Sequence, residues 1–108
     1  MNFSEIAQRF VDAESGTDAF KAFYQAAFDL MKTDAQHASL YFVVGVAARS
    51  FVQSYEDQAI TREFVDRAKT TLVGFNQKIV QALNADPAQC LQLLNQVALD
   101  YEWNVHDF

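Results

Sequence analysis

Between Leu40 and Ala48 the chain reads LYFVVGVAA, nine residues without a charged or strongly polar side chain, and no other stretch limits the possible folds as much. A bilayer-spanning helix needs about 20 apolar residues, and Arg49 arrives long before that. A buried strand suits the Tyr, Phe and Val content. With no second strand candidate, however, its backbone N–H and C=O groups would lack partners. A helix accounts for the flanks as well. At about 100° per residue, His37, Tyr41, Val44, Ala48, Phe51, Val52 and Tyr55 share one side, while Gln36, Ser39, Ser50, Gln53 and Ser54 lie opposite. A helix apolar almost all round belongs in the middle of a bundle.

Four further helical segments surround it. Asn2 and Glu5 form a capping-box pattern ahead of Phe3, Ile6, Ala7, Phe10 and Val11, which recur at helical spacing. Gly16 suits a left-handed helix end and Thr17 a cap. From Thr17 to Lys32 a wide apolar arc of Phe20, Phe23, Tyr24, Ala27, Phe28, Leu30 and Met31 calls for two packing neighbours. Thr33 or Asp34 can cap the central helix. From about Gln58 to Leu83 the stripe is Ile60, Phe64, Ala68, Leu72, Phe75, Ile79, Ala82 and Leu83. Asp86, Pro87 and Gln89 then mark a last helix start, whose inward side is expected to hold Cys90, Leu91, Leu94, Val97, Ala98 and Tyr101. Short connections and the absence of repeats predict an all-α fold, a compact antiparallel bundle of four to five helices, as a single domain spanning residues 1–108. The first helix is expected to cover an edge.

Charge narrows the partners. The net charge is −6, and no Lys or Arg follows Lys78, whereas Asp86, Asp100, Glu102 and Asp107 do. Phosphate backbones and anionic membranes bind through Lys and Arg, so nucleic acid and membrane are not the expected partners. A basic protein surface is. Cys90 is the only cysteine, so no internal disulfide forms, which fits a reducing, cytoplasmic setting. The charged amino terminus does not resemble a signal peptide.

Catalytic patterns are scarce. Asp34, His37 and Tyr41 follow one another at one-turn spacing and form a candidate polar site in which a proton can be shared. The plainer account is a rim histidine bonded to its own cap. A histidine on the central helix of a small acidic bundle is similar to that of the histidine phosphotransfer domains, which implies a phosphoryl relay. The residues after His37, ASLYFVV, lack the Lys and Gly of that family's motif. His106 with Asp107 is a weak metal pair, more simply a solvated tail. No Glu-x-x-His pair, Gly-rich phosphate loop or nucleophile elbow occurs, so no metal, no cofactor and no enzymatic activity are expected. Cys90 on an inward side behaves as a small hydrophobe. The predicted core faces carry Phe20, Phe23, Phe28, Phe42, Phe51, Phe64 and Phe75; such rings either interlock or enclose an apolar ligand.

Apolar residues off the main stripes mark a candidate interface: Val43 and Val46 on the central helix, Val73 and Val80 beside Lys69 on the fourth, Leu99 on the last, then Trp103, Val105 and Phe108 in the tail. Together these features favour a small acidic, non-catalytic protein-binding module, an inhibitor or immunity-type factor or a homodimer. A carrier or sensor of an apolar small molecule is the alternative, and a relay through His37 the third reading.

Overall fold

The computed structural model describes residues 1–105 and 108. His106 and Asp107, considered above as metal ligands, lie outside the described residues. The described residues form five α-helices: α1 (Phe3–Asp12), α2 (Thr17–Thr33), α3 (Ala38–Tyr55), α4 (Arg62–Leu83) and α5 (Pro87–Leu99). A 3₁₀ turn, Ala35–His37, precedes α3, and a π-helical turn, Asp100–Asn104, continues α5. Successive helices run antiparallel. Phe3 and Phe10 of α1 meet Phe23 and Phe20 of α2, Lys21 near the start of α2 reaches Glu56 just past α3, and Phe75 of α4 meets Tyr101 beyond α5. The all-α bundle expected from the sequence is the observed architecture.

The starts obey local chemistry. Asn2 accepts from the backbone N–H of Glu5 while Glu5 accepts from that of Asn2, a complete capping box. The Thr61 hydroxyl accepts from Phe64 N–H and the Asp86 carboxylate from Gln89 N–H. Three details differ from the sequence reading. Gly16 is extended at φ 169° and itself caps α2, so Thr17 is the first helical residue rather than the cap. Helix α4 begins at Arg62 because Thr61 captures its first turn, which leaves Ile60 in the connection. Neither Thr33 nor Asp34 caps α3 through its side chain; the Asp34 carboxylate is held by His37 and Tyr41 instead.

The core is centred on α3. Leu40, Tyr41, Val44, Gly45, Ala47, Ala48, Phe51 and Val52 are all buried. The Phe20 and Phe51 rings, neither exposed at all, stack with centroids 4.2 Å apart. Phe10 stands edge-on to Phe20, and Phe64 stacks on Phe51 from α4. The rings therefore interlock, as close-packed interiors require. Gly45 has a steric reason. A Cβ there would stand 2.8 Å from Phe28 Cδ1 and nearer still to Cε1, so only glycine lets the ring lie on the α3 backbone.

The first helix packs across α2 and α4, and the last packs on a face other than the one expected. α1 sends Phe3, Ile6 and Phe10 into the core, with Val11 left exposed. α5 buries only Leu93 and Val97. Its inward side is thus rotated from the predicted one: Leu91 and Ala98 face out, and Cys90 and Leu94 are half-buried. No helix among the described residues is long and apolar enough to cross a membrane.

Candidate functional site

Helix α5 carries no charged side chain from Pro87 to Leu99. Asp86 caps it and Pro87 occupies its first position, where the missing N–H costs nothing. Leu93 and Val97 fasten one side to the bundle, and the opposite side presents Ala88, Leu91, Gln92, Asn95, Ala98 and Leu99 to solvent. Leu91 and Leu99 are each 57% exposed. Beyond Leu99 the π turn is pinned by Asp100, whose carboxylate accepts from Lys78 Nζ at 3.3 Å and from Asn104 Nδ2 at 3.0 Å. Those bonds, Asn104's first, hold the Asp100 carboxyl below its usual range. Trp103 on this turn is 72% exposed. Trp103 follows Leu99 by four residues, about one helical turn. Leu91, Leu99 and Trp103 are half of the large apolar residues exposed among the described residues; the others, Met1, Val11 and Phe42, are scattered.

The remaining interface candidates sit differently. Phe108 folds back into the core, with ring centroids 5.9 Å from Phe51 and 5.8 Å from Tyr101, and Val105 packs against the same core. Val43 and Val46 are half-buried on α3. Phe42, expected inside, is half-exposed beside Phe28, whose ring also carries the Arg49 guanidinium at 5.0 Å. Lys69 is a clasp: its Nζ donates to Ala13 O at 2.6 Å and lies over Phe10, fixing the end of α1 to α4. Val73 and Val80 line a groove between α1 and α4 with Ala7, Val11 and Asn76. Asn76 is only 3% exposed, and neither polar atom of its amide has a partner.

The polar cluster expected from spacing is assembled. Asp34 Oδ2 accepts from the Tyr41 hydroxyl at 2.6 Å and pairs with His37 Nδ1 at 2.9 Å. These two bonds, Tyr41's first, hold the Asp34 carboxyl below its ordinary range. Burial, and then the bond to Asp34, push the Tyr41 phenol upward. At neutral pH the trio is an anionic carboxylate, a protonated phenol and an imidazole whose Nδ1 is engaged. It joins the end of α2 to the first turns of α3. His37 also lines a surface groove with Leu40, Ala82, Cys90, Leu91 and Leu94, which runs into the exposed side of α5 at Leu91. Among the described residues, no cluster of three or more His, Cys, Asp or Glu side chains is placed to hold a metal ion.

Of the residues singled out from sequence, Leu99 and Trp103 are brought onto one exposed face, and Asp34, His37 and Tyr41 into one cluster. Val73 and Val80 share a separate groove, and Val43, Val46, Lys69 and Phe108 join neither face. Leu91 and Asn95 were missed as surface features, although the lack of charge along α5 was already visible. No protein-family model, curated protein or solved structure matches this chain.

Proposed function

We propose that the protein is a small non-catalytic binding module that docks another polypeptide on the outer side of α5 and its π turn. The observation that carries this reading is the exposure of Leu91 and Leu99 on an uncharged helix, with Trp103 on the turn that continues it, in a chain whose net charge is −6. Exposed apolar side chains grouped on one face mark contact surfaces, and Trp is a frequent anchor. The absence of charge favours apolar docking over masking of a basic site. The interlocked rings weigh against a carrier, because a ligand would have to displace close-packed side chains. The Asp34–His37–Tyr41 cluster is accounted for as a clasp between helices.

Photo-crosslinking tests the reading. With a benzophenone side chain placed in turn at Leu91, Leu99, Gln25 and Gln53, all exposed, covalent polypeptide adducts are expected from the two α5 positions only. Adducts absent from α5, or equal at all four positions, overturn it.

A further inference from the structure

Asn76 stands where an amide is costly. It is 3% exposed on α4, and among the described residues neither its Nδ2 nor its Oδ1 has a hydrogen-bond partner. Buried polar groups in folded proteins are almost always paired, because an orphaned one keeps its full desolvation penalty. An apolar residue would serve the core better here. One turn away on either side, Leu72 and Ile79 are fully buried and aliphatic. The packing of α4 therefore supplies no reason for the carboxamide.

The groove above it does. Ala7 and Val11 of α1 and Val73 and Val80 of α4 wall a space of about 480 Å³, within the roughly 300–1,000 Å³ of small-molecule sites. Asn76 is the only buried residue that lines it and so forms its floor, while Gln8, Gln77 and Gln81 stand exposed at the rim. None of the described residues lining it is charged, in a chain whose net charge is −6. An ionic ligand would find no counter-charge there; a neutral one fits. A carboxamide offers a donor and an acceptor side by side, and it pairs with an edge that carries both, as it does with the donor and acceptor edge of adenine. An amide held cis in a ring, with its N–H beside its C=O, is such an edge, and the rest of the ring then lies against the valines. Because the Asn76 side chain holds no bond, turning it toward the groove breaks none.

We propose that the groove between α1 and α4 binds a small neutral cyclic amide, whose N–H and C=O are read together by the Asn76 carboxamide. The site shares no residue with α5 or with the interlocked rings, so it stands or falls apart from the docking face. The test follows the isotope-labelled full chain by NMR as carbostyril, a benzo-fused lactam, is added. The side-chain N–H signals of Asn76 and the backbone signals of Val11, Val73 and Val80 should shift together along one saturating curve. N-methylcarbostyril keeps both rings and loses the donor, and should bind about tenfold more weakly or worse. Asn76→Leu should keep its helical circular dichroism and lose carbostyril binding to a similar degree. Val11→Trp, at a position exposed in the protein, should block the groove with Asn76 left in place. Should Asn76→Leu fail to fold, the N-methyl probe and Val11→Trp decide the matter. No saturating shift at the groove up to the solubility limit of carbostyril overturns the proposal. So does equal binding of the N-methyl probe, or undiminished binding by a folded Asn76→Leu, since either means an apolar crevice in which the amide reads nothing.

Discussion

Helices α3 and α5 share a long uncharged run and have opposite fates. α3 buries eight residues and α5 two. α3 lies among α2, α4 and α5, so nearly every side of it meets another helix. α5 rests on α4, touches α3 more lightly, and turns the rest of its surface outward. Apolar composition selects which segments avoid water, but the number of neighbours decides whether they succeed. A last helix that rests mainly on one neighbour leaves an apolar face exposed.

Truncations should separate the two helices most sharply. Phe51 is fully buried and stacked on Phe20, and Phe51→Ala should cost about 3–5 kcal/mol, read as a lowered denaturation midpoint with an unchanged slope. A loss near 1 kcal/mol would mean that the ring cluster is looser than the α3-centred core requires.

Glycine substitutions come next, and they should have opposite signs. Gly45→Ala forces a methyl against the Phe28 ring, and overpacking of this kind costs about 1–3 kcal/mol. Gly74→Ala in α4 meets nothing within 4 Å and has no positive φ, so the better helix former should stabilise by about 1 kcal/mol. Thermal melts of the two variants check the pair; a shift of both in one direction contradicts the packing described.

The entrance to α3 adds a pH signature. The Asp34 carboxyl is depressed below its ordinary 3.8 in the folded chain. Its contribution is therefore present above that value and lost as pH falls through the folded pKa. Asp34→Asn should lower stability at neutral pH and flatten the acid limb of the stability profile. An unchanged limb would remove the clasp from the account.

The smallest effect on folding belongs to α5. Leu91→Ala should change the unfolding free energy of the monomer by no more than about 0.5 kcal/mol, because the side chain already faces water. A cost comparable to a core truncation would place Leu91 inside after all.

The sequence reading reaches α3 and α5 unequally, for a physical reason. In α3 the polar residues Ser39, Ser50, Gln53 and Ser54 fix the face, and the predicted core positions Tyr41, Val44, Ala48, Phe51 and Val52 are buried. In α5, leucines at 91, 93, 94 and 99 offer several possible stripes, and no charge marks the wet side. Leu93 and Val97 win because α4 lies beneath them, which is tertiary information. The Asp34–His37–Tyr41 contact was legible because all three groups fall within two turns of one segment. The return of Phe108 to Phe20, Phe51 and Phe75 depends on distant residues, and nothing local signals it. Lys69 was placed beside an exposed valine pair from its own helix alone; its acceptor, Ala13, lies 56 residues away.

Trp103 is the only tryptophan in the chain and lies on the π turn that extends the proposed face. Acrylamide quenching of its fluorescence, with and without a polypeptide captured by photo-crosslinking at Leu91, therefore tests most directly whether that face makes a contact. The account predicts a ring that is accessible in the isolated chain and becomes shielded when that polypeptide is added, with Leu91→Lys accessible throughout. Equal quenching of the unaltered chain with and without the polypeptide would contradict it.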